Sequence, residues 1–217
     1  MKTSLENEGI YWHINEDNIF NFKALIIGPC GTPYENGFYF FDFIIPDSYP
    51  LEPPKVNYCT QYDNIRFNPN LYTNGKVCLS ILNTWSGPSW TPCYTLSSIL
   101  LSLLGLVFID YPLKNEPGHE LADITTLEQY NSIIEYASLK GATLYTLEHL
   151  PNNFEVFKEI IEKYYMKNID KYINRVENLI KSKHNKIYSC TMYNLNIKCD
   201  YQDILLNIKN KYQLLLS

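Results

Sequence analysis

The sequence predicts an α+β domain with a helical C-terminal extension. Three observations carry that reading. Aromatic and β-branched runs fill the first quarter of the chain, helix-period segments fill its second half, and no repeat or low-complexity linker separates them.

Residues 19–28 (IFNFKALIIG) and 37–46 (GFYFFDFIIP) are rich in the residue types that favour a pleated, half-buried surface. Pro29, Gly31, Thr32-Pro33 and Asn36-Gly37 lie between them, so the two runs read as antiparallel strands joined by a turn. Residues 55–59 read as a third, shorter strand after the elbow Tyr49-Pro50-Leu51-Glu52-Pro53-Pro54, whose prolines forbid helix. Residues 60–92 read as irregular chain with a short apolar insertion around Cys78. A helix is expected at about 94–109. Helical periodicity returns at 127–149 and 152–183, with Pro151 as the break, and a final helix is expected at 201–216 in an otherwise weakly patterned tail. These features divide the chain into 10–120, a core, 121–186, a helical extension, and 187–217, a tail.

Composition narrows the function classes. The chain has 217 residues, is 46% hydrophobic and 19% charged, and so has enough apolar material for one substantial domain with an elaborated end. A net charge of -5 supplies no global basic field, which argues against nucleic acid as a partner. The mildly basic segment 155–186 reads as a solvated helix face. No charge falls between Lys76 and Asp110, but the apolar stretch there is shorter than the roughly 20 residues of a membrane span and follows Gly87, Pro88 and Pro92. It reads as a buried helix of the core. The six cysteines (30, 59, 78, 93, 190, 199) show no CxxC pair, and residues 1–10 lack the apolar core of a signal peptide. Reduced thiols in a cytoplasmic or nuclear compartment are the expectation. The histidines 13, 119, 149 and 184 are scattered, so no metal site and no cofactor are expected.

The chemistry concentrates at residues 64–82. A lone cysteine in such a chain is ordinarily a small buried hydrophobe. Cys78, however, follows a turn containing Gly75, lies in loop-rich chain, and stands eight residues beyond Asn70 of the run Asn68-Pro69-Asn70. A thiol near a neutral amide donor suits thioester chemistry, in which the thiolate attacks an acyl group and the amide supports the developing oxyanion. Cys/His hydrolysis is the competing chemistry. His119, beside a Pro-Gly turn, is its one candidate base, and no orienting carboxylate is evident.

The succession GPCGTPYENGFYFFDFIIPDSYPLEPPKV, FNPNLYTNGKVCLSILNTW, SWTP and then an apolar helix resembles the catalytic core of ubiquitin-conjugating enzymes, over about residues 10–120. FNPNLY-xx-GKVCLSILNTW and YPLKNEPGHE, with the helical tail, resemble most closely the conjugating domain of the large hybrid conjugating-enzyme/ligase proteins. The resemblance implies a UBC-like fold, an antiparallel meander sheet packed on a central helix, and assigns Cys78 as the thioester cysteine. That cysteine would take ubiquitin, or a related modifier, from an activating enzyme and pass it to a lysine of a protein substrate, with or without a separate ligase.

Further roles follow by position. Asn70 matches the last residue of the family's His-Pro-Asn motif, implied to support the active-site loop and the oxyanion. Asn68 replaces the His, which is chiefly structural in the family. Tyr72 takes the aromatic position beside the loop and is counted, with the residues of the next two loops, among the partner-binding positions. Leu51, which replaces a frequent Phe, and Trp90 and Pro92 fall in the two loops implied to touch the activating enzyme and ligases. The family's acidic residue after the apolar helix aligns with Lys114 or Asn115, and Asp110 is the acid the reading places nearby. Residues 1–8 are too short for the family's usual first helix. A non-catalytic ubiquitin-binding or scaffold module on the same fold is the alternative, and such modules lack the cysteine that this chain has.

Overall fold

In β2 (Asn18–Ile27) and β3 (Phe38–Ile44) the stretches 22–27 and 38–43 are apolar on both faces apart from the paired Lys23 and Asp42, so the sheet is buried on both sides there. The register shows how. Phe22 faces Phe43, Ala24 faces Phe41 and Ile26 faces Tyr39 on one side; Leu25 faces Phe40 and Ile27 faces Phe38 on the other. β1 (Ile10–Asn15) and β4 (Lys55–Tyr58) complete an antiparallel meander in the order β1-β2-β3-β4. The computed structural model describes residues 2–15 and 17–217.

One side of the sheet joins a core containing Ile99, Leu100, Leu103, Val107 and Phe108. These come from α2 (Leu96–Ser102) and the wider π turn Leu103–Val107 that continues it. Thr95 and Ser98 form a reciprocal capping box that starts α2, where the sequence predicts a helix from about 94. The Phe108 ring lies 4.8 Å from Tyr39 and 5.0 Å from Tyr34. Leu127, Tyr130, Ile133 and Ile134 of α3 (Ile124–Ala137) belong to the same core.

The other side of the sheet is covered by the extension. A π turn (Ser138–Tyr145) and α4 (Thr146–Glu148) carry the chain beyond α3. Phe154 and Phe157 then place their rings 5.0 and 6.3 Å from Phe40, and Tyr164 of α5 (Lys158–Lys167) lies 6.0 Å from Phe38. Tyr172 and Val176 of α6 (Ile169–Lys183) and Tyr201, Ile204 and Ile208 of α7 (Tyr201–Leu216) close this second core. Polar stitches tie it to the β2–β3 turn: Tyr172 Oη donates to the Asn36 carbonyl (2.6 Å) and Arg175 Nη1 to the Glu35 carbonyl (2.6 Å).

The structure differs from the sequence expectations at four places. β1 was not anticipated. A six-residue helix α1 (Lys2–Asn7) forms in a segment to which the sequence analysis assigned no helix. The helical run 152–183 breaks at Asn168, whose side-chain amide donates to the Tyr164 carbonyl (2.8 Å) and so competes with the backbone ladder. The tail contains an unanticipated hairpin, β5 (Ile187–Cys190) with β6 (Leu195–Lys198), bridged by a 3-10 turn Thr191–Tyr193. Its strands are four residues long and half exposed, and Tyr188, Cys190, Tyr193, Leu195 and Ile197 pack it on the first core. Among the described residues, no helix is long and apolar enough to cross a membrane.

Candidate active site

The chain from Phe67 to Trp90 has almost no regular structure, so side chains must satisfy its backbone. Asn68, fully buried, does much of this. Its Oδ1 accepts from the Asn70 N–H (2.7 Å), and its Nδ2 donates to Tyr34 Oη (2.9 Å) and the Val107 carbonyl (2.8 Å). Tyr34 Oη in turn donates to the Phe67 carbonyl (2.7 Å). Burial holds the Tyr34 hydroxyl well above its ordinary pKa, so it remains a donor. One amide thus joins the strand turn, the Asn-Pro-Asn turn and the end of the central helix.

Asn70 and Cys78 are tied twice. The Cys78 N–H donates to the Asn70 carbonyl (2.9 Å), and Asn70 Nδ2 donates to the Cys78 carbonyl (2.7 Å). Asn70 Oδ1 is buried and makes no hydrogen bond. The turn that returns the chain to Cys78 depends on Gly75. Its φ is +91°, and a Cβ there would stand 2.1 Å from Asn57 Oδ1. Beyond Cys78, Thr84 Oγ1 accepts from the Leu79 N–H (3.0 Å) and donates to the Val77 carbonyl (2.8 Å), clasping the loop from its far side. Cys78 itself is 1% exposed, so a reactant reaches Sγ only after local displacement of its cover.

Tyr72 is half-buried against a cation: the Arg66 guanidinium lies 3.7 Å from its ring centroid. Leu51 is 74% exposed and Pro92 is exposed, whereas Trp90 is 7% exposed. Trp90 joins the two loops: its indole N–H donates to the Pro50 carbonyl (2.8 Å), and its ring lies tilted between Tyr49 (6.0 Å) and Tyr94 (5.8 Å). Trp90 therefore offers little surface of its own and holds Leu51 and Pro92 in place.

Near the end of the central helix, Lys114 is exposed and Asn115 Nδ2 donates to the Leu106 carbonyl (2.8 Å). The sequence reading named Asp110 as the nearby acid and missed Glu116. That carboxylate, one residue past Asn115, accepts a hydrogen bond from Tyr193 Oη (2.6 Å). The dipeptide Glu116-Pro117 was the available signal, but its partner lies 77 residues away. Among the described residues no hydrogen bond joins an imidazole to Cys78, and His119 Nδ1 is buried without a hydrogen-bond partner, so the Cys/His arrangement is not assembled. No cluster of metal-ligating side chains occurs among the described residues.

A sheet wrapped on a central helix, with a cysteine and an Asn-Pro-Asn turn locked together beside it, defines a class, and comparison with known proteins agrees. The family model for ubiquitin-conjugating enzyme matches residues 1–136, and the chain belongs to that family. It is 43% identical over 151 residues to ubiquitin-conjugating enzyme E2 Z of Xenopus tropicalis, covering 69% of this chain and 48% of that protein. It is 38% identical over 190 residues to the dual E2 ubiquitin-conjugating enzyme/E3 ubiquitin-protein ligase BIRC6 of Homo sapiens, covering 82% of this chain and 4% of that one. Among solved structures, the E2 domain of a Toxoplasma gondii ubiquitin conjugating enzyme superposes with a TM-score of 0.50 at 27% identity, over 65% of this chain and 93% of that one. The chain therefore spans about half or less of the length of these curated relatives.

Proposed function

We propose that the chain accepts ubiquitin, or a related modifier, as a thioester on Cys78 and transfers it to a lysine amine. In the first step Sγ of Cys78 attacks the thioester carbonyl carried by an activating enzyme. A new S–C bond forms, the old one breaks, and the thiol proton passes to the departing thiolate. In the second step a neutral lysine amine attacks the Cys78 thioester, an amide forms, and the Cys78 thiol is regenerated. The observation that carries this reading is the double tie between Asn70 and Cys78. It fixes the nucleophile's backbone, and among the described residues Asn70 Nδ2 has no second acceptor, so its other N–H is the donor for the oxyanion. The alternative scaffold role has no such observation in its favour.

Leu51 and Pro92, exposed on loops held together by Trp90, are the surface offered to an activating enzyme or ligase. Transfer to lysine without a separate ligase belongs to the same proposal, supported by similarity to a relative named as both conjugating enzyme and ligase. Six cysteines without a disulfide support a reducing compartment, cytoplasmic or nuclear. The test combines activating enzyme, ATP-Mg, ubiquitin and the protein, with products resolved with and without reductant. A reductant-sensitive adduct of one ubiquitin mass, absent in Cys78→Ala, is expected. Loss of the adduct in wild type across several activating enzymes and modifiers overturns the proposal.

A further inference from the structure

The hairpin that follows the helical extension returns to the active-site turn. Its 3-10 turn delivers Tyr193 against Tyr130 (5.5 Å between ring centroids) and places the Arg66 guanidinium 4.9 Å from the Tyr193 ring. Tyr72 holds the same guanidinium at 3.7 Å, so Arg66 is in contact with one ring from each side of the sequence. Nη2 of the clamped Arg66 donates to the Pro69 carbonyl, and the Arg66 carbonyl accepts from Tyr130 Oη. Pro69 is the middle residue of the turn whose last member, Asn70, holds the Cys78 carbonyl. Tyr193 Oη is fixed on Glu116, and burial, followed by that carboxylate, keeps the hydroxyl protonated.

We propose that Tyr193 and Arg66 are positioning residues for the transfer step. Tyr193, in the C-terminal hairpin, clamps Arg66 against Tyr72, and Arg66 holds the Asn68–Asn70 turn and through it the backbone of Cys78. The proposal rests on the thioester reading for its kinetic consequence, but its structural consequence stands alone. Displacing a reacting group by a fraction of an ångström lowers the rate of the chemical step without weakening substrate binding.

Two measurements on the full chain test it. The first is single-turnover discharge of the Cys78–ubiquitin thioester to free lysine over a range of lysine concentrations. Tyr193→Ala is expected to lower the maximal rate about tenfold with the half-saturating lysine concentration unchanged, and Tyr193→Phe, which keeps the ring, to recover most of that loss. Arg66→Lys, which keeps the charge but not the planar fork, is expected to lose rate as Tyr193→Ala does, and it decides the matter if Tyr193→Ala does not fold. The second is amide hydrogen exchange at residues 70–72 and 78, expected to speed up about tenfold in Tyr193→Ala while β2 and β3 keep their protection. Exchange at these amides within twofold of wild type overturns the clamp, and so does a discharge loss that Tyr193→Phe fails to recover. A wild-type protein that never charges defeats the thioester reading instead, and the exchange experiment still decides the clamp.

Discussion

Residues 67–90 and the ring layer built from residues 154–176 and 201–208 are held by opposite means. The first segment is a loop in which amides and hydroxyls satisfy backbone groups one at a time: Asn68 on Val107, Asn70 on Cys78, Thr84 on Val77. The second is a layer of rings and aliphatic side chains, Phe154, Phe157, Tyr165, Tyr172 and Ile204, spread across the back of β2 and β3. Apolar burial is non-directional and tolerates rearrangement, so it stabilises without fixing atoms finely. Hydrogen bonds to backbone carbonyls add little net stability each but fix a position to a few tenths of an ångström. Stability and geometry are thus supplied by different parts of this chain.

That division can be broken from either end. The largest expected effect on stability is at the ring layer: Phe157→Ala, at a fully buried site, should cost about 3–5 kcal/mol in denaturant unfolding. Below its unfolding midpoint the variant should still charge Cys78. A charging defect in folded Phe157→Ala protein would show that the two regions are not separable. Next comes Asn70→Ala, for which thioester formation should persist while discharge to lysine slows about 100-fold, the equivalent of about 3 kcal/mol for one oxyanion donor. Equal discharge rates in a single-turnover chase would confine Asn70 to holding the loop. Gly75→Ala should cost about 1–2 kcal/mol from the left-handed backbone, plus displacement of Asn57, with the loss of amide protection localised to 72–78.

The smallest effect is a pH dependence of the ring layer. Burial pushes the Cys199 thiol up to about 11 from an ordinary 9.0. Such a thiol keeps its proton in the native state over a range where the unfolded chain has already released it. Stability is therefore full below pH 9.0 and declines as pH rises towards about 11. Tyr164, pushed up to about 12 by burial, extends the decline. Unfolding midpoints measured from pH 8 to 11 should fall, and Cys199→Ala should fall less steeply over the same range.

Legibility in the sequence followed the range of the interactions. β2 and β3 are plain because each residue's preference agrees with its neighbours', and the final helix 201–216 appears where its periodicity places it. β1 is six residues long, and β5 and β6 are four each, too short for a periodic signal to stand out. The π turns at 103–107 and 138–145 continue helical patterns without any residue that announces them. At the site, the sequence offered Cys78, Asn70, Asn68 and Tyr72 because they lie within one short segment. It assigned Trp90 to a partner surface, whereas the structure spends that ring and N–H on joining two loops.

By itself, then, the sequence determined the strands β2, β3 and β4, the main helical segments and the segment where the chemistry lies. Each of these depends on residue identity and spacing over a few turns of chain. Only the tertiary structure decided that Asn68 bonds the end of the central helix, that Tyr193 reaches Glu116 across 77 residues, and that Arg66 lies between Tyr72 and Tyr193. Those contacts join groups far apart in the chain, and no local preference encodes them. They form where the hairpin packs against both cores through Tyr188 and Ile197, which brings Tyr193 to Arg66 beside the active-site turn.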